Sequence, residues 1–155
     1  MSVRKIADVL KIYNTFLITT HINPEGDSLG SQLALYQLLE KMGKKPIMVN
    51  DHKVPGVYNF MPNSGLIRSR IDKTLDYDVS IVVDCPNLER TGKVQEMLKK
   101  DKMILNIDHH ISNEGFGKVN WVDAKASSCG EMLYQLYKEM DCKIDKDIAT
   151  NIYVA

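Results

Sequence analysis

The sequence predicts an α/β domain with a mainly parallel sheet and helices on both faces. Apolar runs of strand length alternate with stretches of helical periodicity along most of the chain. A strand, a helix and a second strand follow one another between Phe16 and Val49, the spacing of a parallel pair joined by a right-handed crossover. Acidic residues and histidines fall directly after the apolar runs, at the edge where an open parallel sheet gathers ligands.

Taken in order, Ile6, Val9, Leu10 and Tyr13 recur at three- and four-residue steps, so a short amphipathic helix precedes the first strand, Phe16–Thr20. Leu29, Leu33, Tyr36, Leu39 and Met42 form a second helical stripe, closed by Gly43 with Lys44 and Lys45 beside it. Ile47–Val49 is the next strand. From Asp51 to Asp76 the pattern breaks up around Pro55, Gly56, Pro62 and Gly65, and only Leu66-Ile67 reads as a short strand or turn. Regularity resumes with a strand at Val79–Val83, a helix over Thr91–Lys100 and a strand at Met103–Ile107. Helices then cover Gly130–Met140 and run from Lys146 onward.

At 155 residues the chain suits one domain with an apolar core and is short for two. A hydrophobic fraction of 44% with 26% charged residues places it among soluble globular chains. Its 20 basic and 20 acidic residues cancel, so net charge announces neither a nucleic-acid nor a membrane partner. Cys85, Cys129 and Cys142 are an odd set without a CxxC pair, which argues against a disulfide framework or a zinc ribbon. The opening MSVRKIADVLKIY lacks the unbroken apolar core of a signal peptide or membrane span, so the expected setting is cytoplasmic, with reduced thiols.

His21, Glu25 and Asp27 follow the first strand, Asp84 follows the strand at Val79, and Asp108, His109 and His110 follow the strand at Met103. Asp84 alone would read as a turn former or helix cap. The paired imidazoles have no packing role in a polar loop. Carboxylates and imidazoles gathered at one edge repel or must bind protons unless a cation sits among them. The mixed oxygen and nitrogen set favours manganese, with magnesium, cobalt or zinc as alternatives, and two ions sharing one carboxylate suit it better than one. Ion pairs about 3.5–4 Å apart serve in-line phosphoryl displacement, which points to a phosphoester hydrolase. Gly26 and Gly30 suggest a phosphate-binding loop, yet their spacing matches neither the P-loop nor the dinucleotide fingerprint. A metal-free dinucleotide-binding fold would leave the histidine pair unexplained.

His21-Ile22-Asn23-Pro24-Glu25-Gly26-Asp27-Ser28-Leu29-Gly30-Ser31 resembles the opening motif of the DHH phosphoesterases, HxNPDGDxxGS. Val82-Val83-Asp84, with Asn87 and Arg90 following, resembles their second motif, and Asp108-His109-His110 with Ser112-Asn113 their namesake. Ala126-Ser127-Ser128-Cys129-Gly130-Glu131 is similar to a further serine-rich stretch before a helix. The resemblance, which spans nearly the whole chain, implies a Rossmann-like DHH domain and a two-metal phosphoesterase. It further implies action on small nucleotides: short oligonucleotides, 3′-phosphoadenosine 5′-phosphate or cyclic dinucleotides. It implies that His21, Glu25 and Asp84 hold one manganese and Asp27, Asp84 and His109 the other. His110 then contacts substrate phosphate, Asp108 orients the histidines, and Arg90 and Asn113 assist phosphate contact. No membrane is expected as partner; a second copy, as a homodimer, is. Two departures stand out. Glu25 occupies an aspartate position, adding a carbon–carbon bond of about 1.5 Å. An Asp-Thr-Gly segment and a substrate-binding domain, usual in the family, are not in the sequence, so residues 1–155 are expected to be a DHH domain incomplete at its C-terminus. The competing expectation is a noncatalytic nucleotide-binding or regulatory module.

Overall fold

The computed structural model describes residues 3–99 and 101–155. The elements are α1 (Val3–Ile12), β1 (Thr15–Thr19), α2 (Gly26–Lys41), β2 (Lys45–Met48), β3 (Val79–Val83), β4 (Met103–Asp108), β5 (Val119–Val122), α3 (Cys129–Glu139) and α4 (Lys146–Val154). Short 3-10 turns at Gly56–Tyr58 and Ser64–Leu66 punctuate the irregular middle segment, and a bridge pairs Val49 with Arg68, beside the predicted turn. The strands form one sheet in the order β2-β1-β3-β4-β5, every pair parallel. That is a doubly wound order, and its direction reverses between β1 and β3.

Because β2 lies to one side of β1 and β4 to the far side of β3, right-handed crossovers carry the intervening helices to opposite faces. The period-2 alternation of the strands serves both. Phe16, Ile18, Val79, Ile81, Val83, Leu105 and Ile107 pack in one core with buried residues of all four α-helices. Leu17 turns the other way, onto Val49, Tyr77, Val94 and Met97. The expectation of helices on both faces holds, with a 3-10 helix, Glu89–Met97, as the cover of the second.

That 3-10 helix replaces the predicted helix over Thr91–Lys100, whose last residue lies outside the described set. It breaks at Gly92, where φ is 59°, because a side chain there would run into the Asp51 carboxylate and stand 2.7 Å from Ile22 Cγ2. β5 is an element the sequence reading lacks. Val119-Asn120-Trp121-Val122 is a short edge strand with only Trp121 buried, so it carries neither a long apolar run nor a clean alternation.

Tyr137 anchors α3 on α2: its buried hydroxyl donates to the Ala34 carbonyl at 2.8 Å. Tyr137→Phe is expected to cost about 1 kcal/mol and to lower Tm by roughly 2–4 °C, as read by calorimetric melting.

Candidate metal centre

The strand-order reversal places the C-terminal ends of β1 and β3 side by side, and the Thr20 hydroxyl pins them by donating to the Val83 carbonyl at 2.9 Å. His21 follows one end and Asp84 the other. Asp84 takes a left-handed backbone conformation, φ 52°, while its N–H donates to the Ile107 carbonyl of β4 at 2.9 Å. Such a conformation is uncommon for a residue with a side chain and persists where the surroundings enforce it. Here it delivers the carboxylate into the crevice.

Asp84 is the centre of the site, with its side chain only 3% exposed. Its Oδ2 lies 3.5 Å from His21 Nε2, which is 3.8 Å from Glu25 Oε1. Its Oδ1 lies 3.6 Å from His109 Nε2, which is 3.3 Å from Asp27 Oδ2. Oδ1 is also 3.6 Å from His110 Nδ1. The ligand-type atoms fall into three groups, Asp27 with Asp84, His109 and Cys129; His21 with Glu25 and Asp84; and Asp84 with Asp108 and His110. Asp84 belongs to all of them. Among the described residues its nearest polar neighbours are three imidazole nitrogens at 3.5–3.6 Å and the Cys129 thiol at 3.7 Å, with no closer N–H or O–H donor. A buried carboxylate so poorly provided with donors is costly unless a cation compensates it.

The surrounding groups are aimed by their outer partners. His21 Nδ1 is 2.7 Å from the Ile22 carbonyl and His109 Nδ1 is 3.3 Å from the Ala126 carbonyl. A carbonyl only accepts, so Nδ1 carries the proton in both rings and Nε2 faces the carboxylates. His110 Nδ1 meets Asp108 Oδ1 at 2.7 Å, and Asp108 Oδ2 in turn accepts from Asn113 Nδ2 at 2.6 Å. Asp27 is gripped by the start of α3: the N–H groups of Cys129 and Gly130 donate to it at 2.9 and 3.1 Å, and the Ser31 hydroxyl adds a third bond at 3.0 Å. Helix N-termini favour a carboxylate in this position. Glu25 caps α2, accepting from the N–H groups of Asp27 and Ser28 while Ser28 Oγ accepts the Glu25 N–H.

Electrostatics in the cluster follow from this crowding. Burial pulls the His21 pKa down, but the Asp84 and Glu25 carboxylates outweigh it and push the value up to about 10. His21 holds Glu25 down to about 2. Burial, and then the neighbouring Asp84 charge, raise Asp27. Oxygen with imidazole donors is a suitable set for a divalent ion.

His21, Glu25, Asp27, Asp84, Asp108, His109 and His110, all named from the sequence, converge here. Asn113 lies behind them: its amide donates to Asp108 and, at 2.7 Å, to Asn106 Oδ1. Arg90 has an exposed side chain that forms no ion pair among the described residues; its N–H donates to Asn87 Oδ1 and its carbonyl accepts the Ile22 N–H, beside His21. Gly26 and Gly30 form no phosphate loop. They sit in α2 where α4 crosses, and a Cβ on Gly26 would lie 2.8 Å from the Val154 carbonyl oxygen. Cys129, which the sequence reading placed in the serine-rich stretch before a helix without a ligand role, also reaches the cluster.

A model of the DHH family, N-terminal domain, matches residues 15–155. The chain is 30% identical over 148 residues to the bifunctional oligoribonuclease and PAP phosphatase NrnA of Bacillus subtilis, covering 93% of this chain and 45% of that protein. It is 29% identical over 150 residues to the protein of the same name from Thermus thermophilus, covering 96% and 44%. The chain thus spans less than half the length of these relatives. The crystal structure of an exopolyphosphatase-related protein from Bacteroides fragilis has the same fold, with a TM-score of 0.89 at 24% identity over 99% of this chain and 48% of that one.

Proposed function

The chain belongs to the DHH family, and on that premise we propose that it carries the metal-binding half of a phosphoesterase that hydrolyses bonds in small nucleotides. The substrates proposed are short oligonucleotides, 3′-phosphoadenosine 5′-phosphate and cyclic dinucleotides; the names borne by the Bacillus and Thermus relatives support the first two. The observation that carries the reading is Asp84, one buried carboxylate shared by three ligand groups.

In this reading His21, Glu25 and Asp84 hold one divalent cation and Asp27, Asp84 and His109 a second, with manganese as the activating ion. Bound there, the ions supply a polarised water and neutralise charge that develops on the phosphoryl oxygens. The chain's own residues do the positioning. His110, its Nδ1 tied to Asp108, leaves Nε2 to face a phosphate oxygen, and Asn113 locks Asp108 from behind. The first N–H groups of α3 hold the Asp27 carboxylate in place, and the Ala126 carbonyl orients the His109 ring.

The test is hydrolysis of a dinucleotide and of 3′-phosphoadenosine 5′-phosphate by the full-length protein. Added manganese is expected to drive turnover, chelation to stop it and fresh manganese to restore it, with metal-binding heat that His109→Ala diminishes. Turnover indifferent to chelation overturns the two-metal reading. Absence of any metal heat leaves the noncatalytic nucleotide-binding module in its place.

A further inference from the structure

We propose that the Cys129 thiol is a fourth ligand of the cation held by Asp27, Asp84 and His109, and that it shifts this one position from manganese towards zinc and cobalt(II). The inference rests on the metal reading above. Cys129 opens α3, and its sulfur shares a sphere with ligand atoms of Asp27, Asp84 and His109 that all lie within 4.8 Å of one another. The side chain is fully buried and points inward, 3.7 Å from Asp84 Oδ1 and 3.7 Å from the Ile107 carbonyl. The Cys129 N–H grips Asp27 Oδ2 at 2.9 Å, so one residue reaches the site through both main chain and side chain.

The second observation is Asp84 itself. It is almost wholly buried and directed into the same sphere, where the thiol at 3.7 Å and imidazole nitrogens at 3.5–3.6 Å are its polar neighbours among the described residues. A weak S–H donor cannot compensate a carboxylate. A cation between them satisfies both groups: the sulfur gives an electron pair to the metal, the S–H bond breaks and its proton is released to solvent. A bound dication stabilises the thiolate form of such a sulfur. Thiolate sulfur prefers zinc and cobalt to manganese and magnesium, whereas the His21, Glu25 and Asp84 group offers only nitrogen and oxygen. The two positions therefore differ in softness, which the charge count alone conceals.

Cobalt(II) titration of the full-length protein, followed by absorption, decides the matter. Wild type is expected to show visible d–d bands together with a near-ultraviolet sulfur-to-cobalt charge-transfer band. Cys129→Ser keeps the d–d bands, loses the charge-transfer band and binds zinc at least about tenfold more weakly, with manganese affinity unchanged. Cys85→Ser and Cys142→Ser keep both features. A wild-type protein that binds cobalt with d–d bands but no charge-transfer band overturns the role of Cys129 while the metal site stands, a result that needs no variant to fold. A charge-transfer band that survives in Cys129→Ser overturns it equally, and the absence of any cobalt bands overturns the metal reading with it.

Discussion

Asp84→Ala is expected to reduce kcat/KM for dinucleotide hydrolysis by on the order of a thousandfold or more, with the loss falling on kcat. The size follows from position. Every other candidate ligand belongs to one group, whereas Asp84 enters all three, so its removal uncouples both cation positions at once. The same substitution should cancel stabilisation by metal. At a free metal concentration about 100 times Kd, the wild type gains about 2.7 kcal/mol, which moves Tm by roughly 5–10 °C for a domain of this size. Asp84→Ala should melt at one temperature with or without manganese. Retention of the metal-dependent Tm rise, or of full turnover, would remove Asp84 from the centre of the site and the two-metal assignment with it.

How much of this was legible beforehand depended on the range of the signal. β1, β3 and β4 are short apolar runs, each followed at once by a polar cluster, and local pattern suffices to find them. Their convergence followed from topology alone: parallel strands put His21, Asp84 and His109 on one edge whatever the loops do. What stayed hidden depends on contacts between distant segments. The sequence casts Asn113 as an aid to phosphate contact, and only the folded loop shows its amide bonded to Asp108 and Asn106. Cys129 lies more than forty residues from Asp84 in sequence, and nothing near it signals a ligand. β5 owes its existence to pairing with β4, an edge contact that one buried tryptophan among three half-buried residues does not announce. Gly26 and Gly30 misled in an instructive way: glycine near a helix start suggests an anion site, but the same lack of a side chain also permits two backbones to touch.

That second use of glycine gives the other large effect. Gly30→Ala is expected to destabilise the fold by about 2 kcal/mol, an overpacking cost of about 1–3 kcal/mol partly offset by the helix-propensity gain of up to about 1 kcal/mol. The new methyl would collide with the Asn151 carbonyl of α4 and stand 2.8 Å from Ala155 Cβ and 3.0 Å from its nitrogen. Two of these obstacles are backbone, so α4 must move as a body. It has little freedom to do so: Asn151 Nδ2 is bound to Gln37 Oε1 at 2.9 Å and to the Pro62 carbonyl at 3.2 Å. Gly130, at the head of α3, also faces Ala155. The end of α4 thus wedges against the starts of α2 and α3, the segments that carry Asp27 and its N–H donors. Displacing it should lower Tm by roughly 4–8 °C and weaken metal binding through Asp27, without any change in a candidate ligand. Gly65→Ala, where an added Cβ meets nothing within 4 Å, serves as the control and should melt with the wild type. If Gly30→Ala melts at or above the wild-type temperature, the close crossing of α2 and α4 does not set the geometry of the site.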